Sequence, residues 1–249
     1  MSERTLDILT LFTLERSIWS AESIAARMGV SISSAYRSIA RLEALGFLSA
    51  AKPGQYVLGP AIIQYDRQIQ LTDPLLKASH GAMDRLAGSA PPGSVVLLCR
   101  SFGETVLCMR QVQGPGPPGR AGYERGRPMP LFRGAASKII LAYAPTRTLK
   151  RLYEQHTAEI AASGLGASLP DFKTALARLR KAGFVVTSSE VDVGRMGIAA
   201  PIFDEDRRAV GSLSYVIDTD SYEERLVERL TTIVVDTARE VEQAMRRAD

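Results

Sequence analysis

The sequence is poor in the residues from which most catalytic and metal-binding chemistry is built. Its 249 residues include two cysteines, two histidines and one tryptophan. Two cysteines, Cys99 and Cys108, cannot make a disulfide framework in a chain this long, so a reduced, cytoplasmic protein is expected. With only His80 and His156 to join them, no metal site is expected, and buried small apolar residues are the default for such thiols. No G-x-S-x-G, H-E-x-x-H or Walker sequence occurs. No apolar run is long enough to span a membrane, and the opening MSERTLDIL carries acids where a secretory signal needs an apolar stretch. Charge of one sign is also lacking. The net charge of +4 permits nucleic-acid binding without arguing for it, so such a claim must rest on local pattern.

What remains is a globular composition, 45% hydrophobic and 23% charged, in a chain long enough for one large domain or two ordinary ones. The first segment reads as three helices and a hairpin. Leu6, Ile8, Leu9, Leu11 and Phe12 give an apolar face to a helix starting near Arg4. Ser20 is suited to cap a second helix, with Ile24, Ala25 and Met28 inward and Gly29 at its exit. A third helix is predicted over Ser31–Leu45 and stops at Gly46. Strands at Phe47–Ala51 and Gln55–Leu58 then flank the turn Lys52-Pro53-Gly54.

In the third helix Ala35, Ile39, Leu42 and Leu45 form one stripe, expected to be core, while Arg37 and Arg41 are four apart on another face. Taken alone, those arginines fit a solvated face. The order helix, glycine turn, polar-fronted helix, hairpin fits a winged helix-turn-helix whose second helix enters the DNA major groove. Ser33, Ser34, Tyr36, Arg37 and Arg41 then face double-stranded DNA, and Lys52 lies in a wing beside the backbone.

From Pro60 to Ala87 a helical pattern breaks at Asp73-Pro74, since proline disfavours helix at the residue before it. Ser94–Arg100 and Thr105–Val112 read as a hairpin. Helices are predicted over Gly134–Tyr143, Thr146–Tyr153 and Pro170–Lys181, the last with Phe172, Leu176 and Leu179 inward. Strands at Phe184–Ser188, Gly197–Phe203 and Ala209–Ile217 follow, and a long helix from Ser221 to Arg246 closes the chain. This succession suggests an α+β domain on an antiparallel sheet. Gly114–Gly119, GPGPPG, matches G-x-G-x-x-G literally, but its prolines remove the backbone donors a dinucleotide needs, so it reads as a loop and no cofactor is expected. Gly134-Ala135-Ala136-Ser137 opens a helix, where free N–H groups favour an anion; close packing by small residues accounts for it equally.

Residues 4–59 resemble the winged helix-turn-helix of the IclR family of bacterial transcriptional regulators, most closely over MGVSISSAYRSIARLEALGFL, Met28–Leu48. GRPMPLFRGAASKIILA, Gly126–Ala142, and AGFVVTSSEVDVGRMGIAAPIFDEDRRAVGSLSYVI, Ala182–Ile217, resemble two further segments of that family. The resemblance implies a winged helix-turn-helix (1–59), a helical linker (60–87) and a GAF-like antiparallel-sheet effector domain (88–249), assembled as a homodimer or homotetramer. It also implies a small organic effector held by the helix opening and the strands, at Ala135, Ala136, Thr187, Gly197, Ser214 and Val216, with Met129 beside them. Thr187 stands where the family often has an acid, Gly197 where a cysteine is common, Val216 where a serine occurs, and Phe132 and Ser137 replace a histidine and a glycine. These changes remove polar groups and add room, so an aromatic or otherwise bulky carboxylate is expected, paired with Arg133 or Arg195 unless these are surface charges. The rival classes are an enzyme acting on small molecules and a pure interaction module.

Overall fold

The computed structural model describes residues 4–119, 121–221 and 223–247. Its contacts divide the chain into two units, Met1–Asp73 and Pro74–Asp249, so the boundary falls at the proline expected to break the helical stretch.

The first unit begins with a 3-10 helix, Leu6–Leu11, followed by β1 (Trp19–Ser20), α1 (Ala21–Met28), α2 (Ile32–Ala44), β2 (Leu48–Lys52), β3 (Gln55–Leu58) and α3 (Ala61–Thr72). The serine caps set the helix-turn-helix. Ser20 Oγ accepts the Ser23 N–H at 3.2 Å and Ser23 Oγ accepts the Ser20 N–H at 3.0 Å, satisfying two donors at the start of α1. Gly29 ends α1 at φ +64°, with the Val30 N–H returning to Ala25 O at 3.1 Å, a closure that favours glycine. Ser31 Oγ then caps α2 through the Ser34 N–H. Ile24, Ala35, Ile39, Leu42 and Leu48 are buried together with Ile8 and Trp19.

Three features differ from the expectations. The opening helix is 3-10 rather than α, and Thr5 at its N-cap makes no side-chain cap. The two-residue strand β1, too short to show any period, adds to the hairpin in the order β1-β3-β2. Leu45 is not core: it is 59% exposed. At 3.6 residues per turn it lies roughly a quarter turn off the stripe of Ala35, Ile39 and Leu42. The helix ends there, Gly46 turns the chain at φ +74°, and Leu48 enters the core instead.

The second unit runs α4 (Pro74–Gly88), β4 (Val95–Phe102), β5 (Thr105–Gln113), β6 (Pro128–Pro130), α5 (Ala135–Ala142), α6 (Thr146–Ala162), α7 (Leu169–Ala182), β7 (Val185–Ser188), β8 (Arg195–Phe203), β9 (Ala209–Asp218) and α8 (Glu224–Arg246). The strands form one antiparallel sheet, β6-β5-β4-β9-β8-β7. Helices cover both faces: α4 and α8 on one, α5 with α6 and α7 on the other. A central strand covered on both sides must be apolar at every position, and Val95–Cys99 is: Val96 and Leu98 point to the α4/α8 core, Val95, Leu97 and Cys99 to the other. The same alternation turns Ile198, Leu213 and Tyr215 to α8, and Gly197, Ser212 and Ser214 to α5. Edge strand β6, with prolines at both ends, and the extension of α6 to Ala162 through a kink at His156 were not expected.

Candidate functional site

On the first unit, Ser33, Tyr36, Arg37 and Arg41 stand exposed along the outer side of α2, Ser34 is half-buried at its front, and Lys52 is exposed at the hairpin tip. Arg37 Nη2 donates to Ser34 Oγ at 3.2 Å, which holds the guanidinium toward the front of the helix. Tyr36 is turned back instead: its hydroxyl donates to Glu22 Oε1 of α1 at 3.4 Å.

On the second unit, Ala135, Ala136, Thr187, Arg195, Gly197, Ser214 and Val216 all line one cavity. Register and pleat bring them together. Thr187 of β7 lies opposite Gly197 of β8, and Gly197 opposite Val216 of β9; Ser214, two residues before Val216, points to the same face. The opening turn of α5 closes the space above them. A Cβ at Gly197 would lie 3.1 Å from Ala135 Cβ and 3.2 Å from Thr187 Oγ1, so glycine is what lets α5 approach the sheet this closely. The two serines of β9 on this face differ. Ser212 Oγ donates to Ala136 O at 3.1 Å, whereas the Ser214 hydroxyl is buried without a partner.

The opening of α5 is already occupied. Glu190 Oε2 accepts the Gly134 N–H at 2.9 Å, and Glu190 Oε1 pairs with Lys138 Nζ at 2.6 Å. The anion favoured at this helix start is thus the protein's own carboxylate. Arg133 donates to Glu190 O. With Met129, Arg133 lines a separate cavity of about 210 Å³; Val191 and Asp192 border both spaces. Arg195 is bound to Asp218, to Gly93 O at 2.9 Å and to Val216 O at 3.3 Å, and its Nε is buried without a partner. Tyr123 gives its one proton to Arg133 O at 2.8 Å, so Ser137, 2.7 Å away, donates to it; burial raises the phenol well above its ordinary pKa. The cavity encloses about 30 Å³, room for on the order of one or two water molecules. Glu190, Val191 and Asp192 form one wall of this space.

Glu190, Tyr123 and Asp192 were missed in the sequence. One signal was available: Lys138 is a lone charge in the apolar run GAASKIILA, and a buried ammonium needs a partner. Cys99 and Cys108 are buried, unbridged and opposite each other in the β4–β5 hairpin. Among the described residues no cluster of three or more His, Cys, Asp and Glu is placed to hold a metal ion, and no helix is long and apolar enough to cross a membrane.

Two family models match the chain: "IclR helix-turn-helix domain" over residues 3–51 and "Bacterial transcriptional regulator IclR C-terminal" over residues 71–243. The chain is 24% identical over 241 residues to the HTH-type transcriptional regulator KipR of Bacillus subtilis, covering 96% of this chain and 94% of the relative. It is also 24% identical over 238 residues to the Pca operon regulatory protein of Acinetobacter baylyi, covering 94% and 84%. Among solved structures, an IclR homolog from Microbacterium hydrocarbonoxydans complexed with 4-hydroxybenzoate superposes with a TM-score of 0.73 at 17% identity, covering 98% of each chain.

Proposed function

The chain belongs to the IclR family of bacterial transcriptional regulators, and from that premise we propose how its two sites divide regulation between them. Helix α2 enters the major groove of operator DNA, with Ser33, Ser34, Arg37 and Arg41 toward base edges and phosphates and Lys52 toward the backbone. Tyr36 leaves Glu22 to join them. A second copy supplies the second half-site, in a homodimer or homotetramer, with residues 60–87 as the linker. Exposed Ile62, Ile63, Tyr65, Ile69 and Leu71 of α3 support assembly, because a monomer gains nothing by presenting them to water. The protein acts in the cytoplasm, turns over no substrate and needs no cofactor.

The effector is a small organic acid bound at Ala135, Gly197 and Ser214. One observation carries this assignment: Ser214 Oγ is buried in the cavity with no partner, a cost that a ligand's hydrogen bond removes. An aromatic acid suits a site whose strands present Gly197 and Val216. The 4-hydroxybenzoate complex of the Microbacterium homolog lends this chemistry weight. Binding displaces the wall at Glu190–Asp192, and it alters DNA affinity to the extent that the two states of that wall differ in affinity for DNA.

Titration calorimetry with 4-hydroxybenzoate, benzoate, glyoxylate and pyruvate tests the assignment. Binding of an aromatic acid to the wild type, weakened about tenfold in Ser214→Ala, is expected. Binding of glyoxylate or pyruvate with no aromatic acid overturns the bulky-acid reading, and an unchanged Ser214→Ala overturns the site.

A further inference from the structure

The DNA-binding unit carries a groove whose chemistry the helix-turn-helix pattern does not assign. It measures about 600 Å³ and runs between the 3-10 helix and α2. Arg37 and Arg41 of α2 line one wall, joined by Ser34 and Ser38. Arg4, in the turn that precedes the 3-10 helix, lines the same groove. Three arginines from two separate segments thus line one open space, and none of its ten described lining residues is acidic. Thr5 Oγ1 and Ser38 Oγ lie 3.3 Å apart, tying the segment that carries Arg4 to α2.

A groove lined by three arginines and no acid carries a positive potential that favours an anion within it. The groove is lined by exposed arginines and is continuous with the outer side of α2. Its shape and sign fit the phosphate backbone of a duplex rather than base edges, which lie deeper in the major groove.

We infer that this groove seats a DNA phosphate and that Arg4 is a positioning residue for operator binding, setting the depth and register of α2. The inference rests on the DNA-binding reading above but adds a contact from outside the helix-turn-helix. It assigns Arg4 a sequence-independent role and leaves base reading to the front of α2.

Arg4 lies outside the unit's core, so Arg4→Ala and Arg4→Lys are expected to unfold at the wild-type temperature. The probe is a fluorescein-labelled mixed-sequence duplex of about 30 base pairs, followed by anisotropy from roughly 50 to 200 mM salt. An arbitrary duplex suffices because non-specific binding is almost entirely phosphate contact. The wild type binds with a steep salt dependence. Arg4→Ala binds more weakly, and its plot of log K against log salt is shallower by about 0.9, the slope of one lost phosphate contact. The wild-type advantage over that variant therefore narrows about threefold across the range. Arg4→Lys keeps the wild-type slope, since a phosphate accepts any well-placed point charge.

An Arg4→Ala variant with the wild-type slope overturns the phosphate seat while leaving the DNA-binding reading intact, and so does a uniform affinity loss with no change of slope. Failure of the wild type to bind the duplex at all overturns both. Loss of slope in Arg4→Lys as well as Arg4→Ala overturns the point-charge role.

Discussion

The carboxylate of Glu190 caps the backbone N–H of Gly134 at 2.9 Å, so the start of α5 is closed by a residue from the loop after β7. The same carboxylate neutralises Lys138, whose side chain is 8% exposed. Glu190→Ala leaves that ammonium buried without its counter-charge, with the Ser163 carbonyl at 3.0 Å still accepting from it. Breaking such a pair is expected to cost about 3 kcal/mol, the low end of the usual range because Glu190 itself keeps 28% exposure. Urea unfolding measures it. Glu190→Gln retains an acceptor and costs less, and by removing a negative charge from the cavity wall it should tighten the binding of an acid effector. A Glu190→Gln variant with weaker acid binding would show that this carboxylate holds the site in shape rather than competing for it.

Ser214 and Ser212 give opposite outcomes from one chemical change. Ser212→Ala loses the buried hydrogen bond to Ala136 O, costing about 1 kcal/mol. Ser214→Ala removes a hydroxyl that has no partner, so stability should hold or rise slightly while effector affinity falls. Thermal unfolding of both variants, with and without benzoate, separates the two roles. A Ser214→Ala variant as destabilised as Ser212→Ala would mean that the hydroxyl already has a use in the empty protein.

Much of this was legible because periodic elements carry it. The cap at Ser20 and the turn at Gly29 mark the helix-turn-helix in the chain itself. Thr187, Gly197, Ser214 and Val216 fall on one face because a strand alternates with period two. Glu190, Tyr123 and Asp192 come from irregular segments, whose paths no period predicts, and they decide how closed the cavity is. Arg4 lies in the turn before the 3-10 helix, outside any periodic element. Leu45 was misplaced because the stripe was extended one step past the end of its helix.

The contrast between Leu42 and Leu45 tests that correction. Leu42 is 1% exposed and Leu45 59%. Leu42→Ala should cost about 2–5 kcal/mol, the range for a buried leucine, while Leu45→Ala should stay within about 0.5 kcal/mol of wild type. Equal losses would return Leu45 to the core.

Acid should loosen the contact between the β4–β5 turn and α6. A hydrogen bond from His156 at 3.1 Å, and then Arg151, hold the Glu104 carboxyl below its ordinary value of 4.5. A depressed carboxyl pKa contributes stability that is present above the unfolded value and is lost as the pH falls through the folded one. The urea midpoint of the wild type should therefore drop more between pH 6 and about pH 3 than that of Glu104→Gln, which has no carboxylate to titrate. Equal drops would remove Glu104 from the account.

Arg37 is the residue on which the DNA reading turns. It is exposed, it bonds to Ser34 Oγ alone among the described side chains, and it lies one helical turn from Arg41 on the outer side of α2. Arg37→Ala should therefore change folding stability by no more than about 0.5 kcal/mol. Its planar fork can grip two acceptors at once on a guanine edge or a phosphate, and alanine offers neither donor nor charge. Binding to the DNA upstream of the protein's own gene, followed by mobility shift, should be abolished, with benzoate binding to the second unit unchanged. Arg37→Lys restores affinity without sequence discrimination if the residue reads a base, because an ammonium supplies charge but not the fork. If DNA affinity survives Arg37→Ala, the outer side of α2 is not the reading face.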